Sequence, residues 1–429
     1  AQAAEVALAL PGTPVQTLWS REQDLQHDFY RPACVARLSA ALDAQGRVLG
    51  FRSHSAGQAI VPQVMKRTFG LPAGGPDKTT AEGAFDQPYE WPHARIGHAI
   101  VDLPMPVGFW RAVGHSHQAF FKEGFIDEVA HAAGQDPVAF RLQHLSDPRA
   151  IDLVRATTER AGWQPRTGPR LQTDPANPNW LKGQGFAYAR YIHSKWPGFG
   201  AAWAAWVADV EVNRQTGEVH VRRVVVGHDA GLVVNPAGVE HQVHGNVVQT
   251  TSRALKEQVR FDPVQGTVAQ REWGGYPILS FREVPVVEVM QMPRPDEPPL
   301  GAGESSSVPG TAAIANAIFD ATGVRLRNPP FTPEVVRAAL NPLPSAAAAR
   351  SAPRPAPCRL VQWPARRRES TARHHLARRR RPPVRARVHP PLDRLRVRRR
   401  WRRRLDGAAH PCTRRRRARS TRARRRPDH

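Results

Sequence analysis

Cysteine is scarce: the 429 residues hold three, Cys34, Cys358 and Cys412, two of them near the C-terminus. A disulfide framework in the body of the chain is excluded, and so is a zinc or iron–sulfur site built from four body thiolates. Long apolar runs are also missing. The longest, Phe199–Ala208, is about half of the roughly 20 residues a membrane-spanning helix needs. No signal peptide is visible. The chain opens without Met in Val6-Ala-Leu-Ala-Leu10, which reads as an element already under way. The expectation is therefore that the natural N-terminus is missing, and targeting to bacterial cytoplasm or periplasm is not legible.

Negative charge is absent where positive charge is densest. The formal net charge is +25, but residues 350–429 hold 30 Arg and no Lys against four acids. Removing them leaves 32 basic and 33 acidic residues in 1–349, so the body is neutral. The same 80 residues lack Ile, Phe, Tyr, Met and Asn. Such a tail cannot bury a core and is expected to be disordered. Dense Arg would suit a polyanion-binding arm. An out-of-frame translation of GC-rich DNA accounts better for the Arg, Pro, Ala and His bias and for the abrupt onset.

The body alternates strands and helices. Val15–Trp19 reads as a strand ahead of the polar run Ser20–Asp24. Cys34–Leu42 and Val48–Ser53 flank Asp43-Ala-Gln-Gly46 as a hairpin. Residues 70–92 read as loop. Phe121, Phe125, Ile126, Val129, Ala130 and Ala133 recur at three- and four-residue steps. That spacing predicts a helix over 120–134 buried along Phe121, Phe125 and Val129. Pro137–Leu145 and Arg149–Ala161 read as two further helices, and residues 164–182 as a boundary. Beyond it, Phe186–Ile192, Trp203–Val212, Val219–Val226 and Val284–Met292 read as strands, and Pro236–Leu255 and Pro309–Thr322 as helices. The mixture lacks a regular βαβ alternation, so the expected class is α+β. The sub-domains are expected at 1–165 and 180–342, with the tail at 343–429.

Common motifs fail. Gly301-Ala-Gly303-Glu-Ser-Ser306 has two glycines of a dinucleotide fingerprint but Ser306 in place of the third, and Asp77-Lys78-Thr79 lacks the Gly of a P-loop. His115-Ser-His117 has metal-like spacing, but a pair at a helix start is more often structural. Glu304 is a lone carboxylate in a Gly-rich turn before an apolar helix. It reads as a helix cap or as a general base, and on spacing alone the cap is favoured. Arg111, in Gly108-Phe-Trp-Arg-Ala-Val-Gly114, either stacks on Trp110 or steadies developing negative charge. Gln242, His244 and Gly245 lie within one helix pattern. A Gly there costs about 1 kcal/mol relative to Ala, which helix packing or the close approach of a ligand would explain.

Together these segments resemble the molybdenum-binding catalytic subunit of the xanthine dehydrogenase/aldehyde oxidase family, in particular the isoquinoline 1-oxidoreductase beta branch. The stretches are Trp19–Asp24 with His27–Pro32; Phe109–Gly114, Phe125–Glu128 and Gly134–Pro137; Asp229–Gly231 with Asn235-Pro236; Gln242–Gly245; Tyr276–Ile278; and Gly301–Glu304 with Ala315–Asp320. They stand in the family's order over roughly residues 5–340.

The resemblance implies a molybdenum held by a pterin, with molybdopterin cytosine dinucleotide one form, and no protein ligand to the metal. It implies hydroxylation of an electrophilic carbon with oxygen from water. Glu304 is then the base, and Arg111 steadies substrate charge. Gln242, His244, Gly245, Gly114, Gly301 and Gly303 are then cofactor-facing. It also implies 2Fe-2S clusters in a separate small iron–sulfur subunit and a downstream acceptor such as a cytochrome. The chain departs from the family's pattern at Ser305-Ser-Ser307, where Pro or Gly is usual, and in lacking an N-terminal Gly-rich loop. The substrate expected is an N-heteroaromatic of isoquinoline type. The alternatives are an aldehyde, an inactive fragment, or an Arg-tail nucleic-acid binder, although the resemblance calls for no nucleic acid. Limited proteolysis tests the tail assignment: trimming should stop near residue 345, and protection of 350–429 equal to that of the body would refute it.

Overall fold

The computed structural model describes residues 2–72, 77–194 and 199–341, without the side chains of 193, 194 and 199. The Arg-rich tail and its expected disorder lie outside the described residues. The first elements are α1 (Gln2–Ala9), α2 (Arg21–His27), β1 (Cys34–Leu42), β2 (Val48–Gly57), α3 (Val61–Phe69) and β3 (Ala94–Ile100). Three helices follow: α4 (Val113–Ala132), α5 (Pro137–Gln143) and α6 (Pro148–Ala161). Next come β4 (Gln172–Asp174), β5 (Asn177–Ser194), β6 (Phe199–Asn213), β7 (Val219–Asp229) and α7 (Pro236–Leu255). The short β8 (Phe261–Asp262) and β9 (Thr267–Val268) lead to β10 (Val286–Gln291), α8 (Gly310–Thr322) and α9 (Pro333–Leu340).

β4 to β7 and β10 form one sheet in the order β10-β7-β6-β5-β4, antiparallel except for the parallel β10–β7 pair. Helices cover both faces, which explains the apolar run in β6. Ala202 to Ala208 are all buried, as expected of a central strand with no solvent-facing side. Trp206 and Ala208 turn toward α7 and α8, whereas Ala205 and Val207 turn toward α4, α5 and α6. A second sheet, β1-β2-β3, pairs β1 with β2 antiparallel and β2 with β3 parallel.

α8 lies directly on β5. A Cβ at Gly185 would stand 2.1 Å from the Ala317 nitrogen and 2.2 Å from the Ala313 carbonyl oxygen, and one at Gly183 would stand 2.1 Å from the Ala317 carbonyl oxygen. Only glycine permits this approach, and Ala312, Ala313, Ala317 and Ala321 keep the helix side equally bare. The α4 helix is held differently. Its Glu123 is fully buried, and Glu123 Oε2 accepts from Arg141 Nε at 2.8 Å and from the Tyr188 amide at 3.1 Å. The Tyr89 hydroxyl donates to Glu123 Oε1 at 2.9 Å, and Arg325 Nη2 donates to Asp127 Oδ2 at 2.6 Å. Buried charge is tolerated here because every partner is present.

Several expectations need correction. Val15–Trp19 is not a strand: the segment has no ladder partner, and Ser20 with Gln23 forms a capping box that opens α2 in the supposed polar run. The long helix begins at Val113 rather than Phe120, because its first turns bury His115 and Gln118 instead of apolar residues. Its inner face carries Phe120, Ile126, Val129 and Ala130, while Phe121 and Phe125 are half-buried. Within the expected boundary 164–182, residues 172–174 and 177–182 are strand. The hairpin, α7 and the helix ended by Gly323 stand where expected.

Two outcomes are expected. Gly185→Ala should destabilise the chain by at least about 3 kcal/mol, because the added methyl meets backbone on both sides; an unchanged urea midpoint would refute the close packing. Arg141→Leu should lose about 3–5 kcal/mol by stranding Glu123, read from the same transition.

Candidate active site

The turn into α4 is strained. Ala112 has φ 68° and Val113 φ 38°, and a β-branched residue there is an outlier that its surroundings must hold in place. Arg31 does so: its Nη1 donates to the Val113 carbonyl at 3.2 Å, and its Nη2 to the Arg111 carbonyl at 2.9 Å. The strained geometry points the Ala112 amide at Glu304 Oε1, 3.3 Å away.

Glu304 precedes the 3₁₀ turn Ser305–Ser307 and makes no side-chain cap. The capping interpretation, favoured on spacing alone, is therefore wrong. Its second oxygen, Oε2, accepts from the Tyr191 hydroxyl. Burial, reinforced by that hydrogen bond, pushes the phenol well above its ordinary range, so Tyr191 stays protonated and donates.

Ser305-Ser-Ser307, the departure from the family pattern, is buried and fully engaged. Ser305 Oγ pairs with His228 Nε2 at 2.6 Å, Ser306 Oγ accepts from Asn246 Nδ2 at 2.7 Å, and Ser307 Oγ donates to the Glu304 carbonyl at 2.7 Å. Trp206 Nε1 donates to the Ser306 carbonyl at 2.6 Å. Each hydroxyl is met by a different neighbour, which fixes the turn carrying Glu304.

Arg111 is half-buried. Its Nε donates to the Gly303 carbonyl at 2.6 Å and its Nη2 to Gln242 Oε1 at 2.7 Å. Burial draws this guanidinium down, and the nearby Glu304 charge opposes that shift. The structure thus brings Arg111, Gln242, Gly303 and Glu304 together from three separate segments. Gly245 belongs to the same surface: a Cβ there would stand 3.7 Å from Arg111 Nη1, and one at Gly303 would stand 3.8 Å from Gln242 Oε1. Gly301 is exposed at the start of the loop.

His244 is not drawn in, and its Nε2 lies 3.9 Å from Glu240 Oε1 along the helix. Nor is Gly114, which is buried against the 79–80 loop, where a Cβ would stand 2.2 Å from the Thr79 carbonyl oxygen. Backbone packing by itself requires a glycine there. His115 and His117 have separate partners, Asp86 at 3.6 Å and the Thr80 carbonyl at 2.8 Å, and burial holds both near a pKa of about 4.

Sequence reasoning missed Tyr191, Arg31 and Asn246. Tyr191 was within reach: on β5, Ala187, Ala189 and Tyr191 alternate with Phe186 and Tyr188, and only the first set faces α8 and the Glu304 turn. Arg31 and Asn246 act through backbone carbonyls and a serine, and no sequence pattern marks that.

Residues 1–145 and 156–285 each match a molybdopterin cofactor-binding domain. The B subunit of nicotinate dehydrogenase from Pseudomonas putida is 63% identical over 255 residues, 59% of this chain and 21% of that protein. The beta subunit of isoquinoline 1-oxidoreductase from Brevundimonas diminuta is 29% identical over 337 residues, 78% of this chain and 40% of that protein. The chain thus spans well under half the length of either relative. Quinoline 2-oxidoreductase from Pseudomonas putida 86 shares the fold, with a TM-score of 0.64 at 14% identity over 79% of this chain and 66% of that one. With molybdopterin cofactor-binding matches over both halves of its described body and these relatives beside them, the chain belongs to the molybdenum-binding subunits of the xanthine dehydrogenase/aldehyde oxidase family.

Proposed function

We propose that the chain is the catalytic part of a molybdenum hydroxylase that oxidises an N-heteroaromatic substrate, with Glu304 as the base. The observation that carries this reading is a carboxylate held by the Ala112 amide and the Tyr191 hydroxyl instead of capping a helix, beside Arg111. The long stretch shared with the nicotinate dehydrogenase relative supports the heteroaromatic class.

The residues present fit a molybdenum–pterin group. At Gly245 and Gly303 an added methyl would lie in van der Waals contact with Arg111 Nη1 and Gln242 Oε1, so glycine keeps the surface beside these two polar groups uncovered. With Arg111 on its oxygen, the Gln242 amide keeps its two N–H donors for an anionic group. When bound, that cofactor supplies the two-electron redox chemistry and the activation of water. In this reading Arg111 comes from the sub-domain at 1–165, and Gln242 and Glu304 come from the one at 180–342.

Glu304 takes up the proton released as the substrate carbon is hydroxylated. Its two hydrogen bonds fix the carboxylate before the substrate arrives, so little reorganisation is needed. Arg111, tethered by Gly303 and Gln242, holds a positive charge where negative charge develops on the ring. A separate iron–sulfur subunit holding 2Fe-2S clusters, with an acceptor such as a cytochrome beyond it, would take up the electrons. The single body cysteine, Cys34, leaves no cluster site in this chain. The cytosine dinucleotide form of the cofactor belongs to the same proposal.

The test is turnover of a heteroaromatic substrate, and of an aldehyde in parallel, with an artificial electron acceptor and the iron–sulfur partner co-expressed. At equal molybdenum loading, Glu304→Gln should lower the rate by about 10²–10⁴-fold. Near-normal turnover would remove Glu304 from the mechanism. Faster oxidation of the aldehyde than of the heteroaromatic would overturn the substrate class.

A further inference from the structure

The loop from Asp77 to Gln87 packs against the first turns of α4 and is tied down along its length. The Asp77 carboxylate accepts from the Ile60 and Thr79 amides at 2.5 and 2.9 Å. Thr80 Oγ1 pairs with His98 Nε2 at 3.1 Å, and Asp86 Oδ1 accepts from the Gly83 amide at 2.5 Å. Two cations grip the backbone: Lys122 Nζ donates to the Gly83 carbonyl at 2.9 Å, and Arg190 Nη2 to the Asp86 carbonyl at 2.7 Å. The loop reaches the proposed base through α4. A Cβ at Gly83 would stand 3.0 Å from His115 Nδ1. The His115 ring packs edge-on against Tyr191, 4.7 Å between centroids, and the Tyr191 hydroxyl donates to Glu304. A cavity of about 460 Å³ adjoins the strained turn at Arg31 and Trp110, but neither Glu82 nor Glu304 lines it.

One carboxyl in this loop is left over. Glu82 is half-buried, and among the described residues it has neither a hydrogen bond nor an ion pair. Its charged neighbours are acids: Asp86 and Asp77 of the same loop, and Glu304. Burial, and after it these three like charges, pushes the Glu82 carboxyl up to about 7. The other titratable groups around the loop behave differently. Burial holds His98, His115 and His117 below their ordinary range and Tyr191 above its own. Lys122 is brought down to about 8 by burial, and Arg190 Nη2 is committed to loop carbonyls. Glu304 has two donors, the Ala112 amide and the Tyr191 hydroxyl, and Glu82 has none. Unequal surroundings of this kind divide the roles of two neighbouring carboxyls.

We propose that Glu82 is a second carboxyl of the site, acting on the reaction through its charge. Uncharged, it leaves the pocket to Arg111 and Glu304; ionised, it sets a further negative charge beside them and opposes the charge that develops on the heteroaromatic ring. The effect on the ring rests on the hydroxylation reading, whereas the charge change at Glu82 does not.

Urea midpoints of the full 429-residue chain and of its Glu82→Gln variant, taken from pH 5 to pH 8, test the charge change. The folded chain keeps the Glu82 proton to a higher pH than the unfolded chain. Wild type should therefore lose stability relative to Glu82→Gln as the pH rises, and the gap should stop widening above about 7. In a Glu304→Gln background the widening should end at a lower pH, because one of the like charges is gone. A gap of equal size at every pH, or none, would overturn the proposal. So would an end-point that Glu304→Gln leaves in place. Turnover of quinoline by the molybdenum-loaded chain, with the iron–sulfur partner co-expressed, reads the effect on the reaction. The wild-type rate should fall by about tenfold as Glu82 ionises, and the Glu82→Gln rate should not. An equal fall in both would overturn that action. Failure of the proposed base is read separately, from Glu304→Gln turnover, and leaves the stability comparison intact.

Discussion

The contact between α8 and β5, backbone against backbone with no side chain between, is the constraint from which the site follows. Gly183 and Gly185 let the helix settle onto the strand, and that depth places the Ser305–Ser307 turn at its N-terminal end. Glu304, one residue earlier, is thereby brought to the Tyr191 hydroxyl at the far end of the same strand. A close-packed interior transmits position because it cannot relax locally. The orientation of one carboxylate is therefore set by two missing side chains more than a hundred residues away in sequence.

The opposite side of the site is held by strain rather than packing. Ala112 and Val113 keep a left-handed backbone because Arg31 grips two neighbouring carbonyls and Glu304 accepts the intervening amide. Such conformations persist only where the surroundings over-determine them. Arg31 thus ties the strained turn to the wall of the adjacent cavity.

Periodicity makes most regular elements legible: the hairpin, α5 to α7, and the helix ended by Gly323. It fails where burial is polar. The first turns of α4 hide His115, Gln118, Lys122 and Glu123, so the apolar stripe reads as beginning at Phe120 and running through Phe125. It fails again at Val15–Trp19, where β-branched and aromatic residues lack a partner strand. Glu304, Arg111 and Gln242 are singled out by the resemblance to a family, not by spacing, which favours a helix cap for Glu304. The β5 alternation alone puts Tyr191 on the α8 side, whereas Arg31 sits within a family-like segment that marks no role for it. Gly114 shows an ambiguity that sequence cannot resolve, because a glycine required by packing reads like one needed for a ligand.

The Ala112–Glu304 hydrogen bond joins residues 192 positions apart, and Arg111 meets Gly303 across the same span. Closing a loop of that length carries an entropic penalty before any contact rewards it. During synthesis the two walls of the pocket cannot meet until residue 304 has left the ribosome and α8 has docked on β5. The early half of the body must therefore wait, with the turn that will become strained still relaxed. A pocket that needs both walls first exists only after residue 304 has emerged.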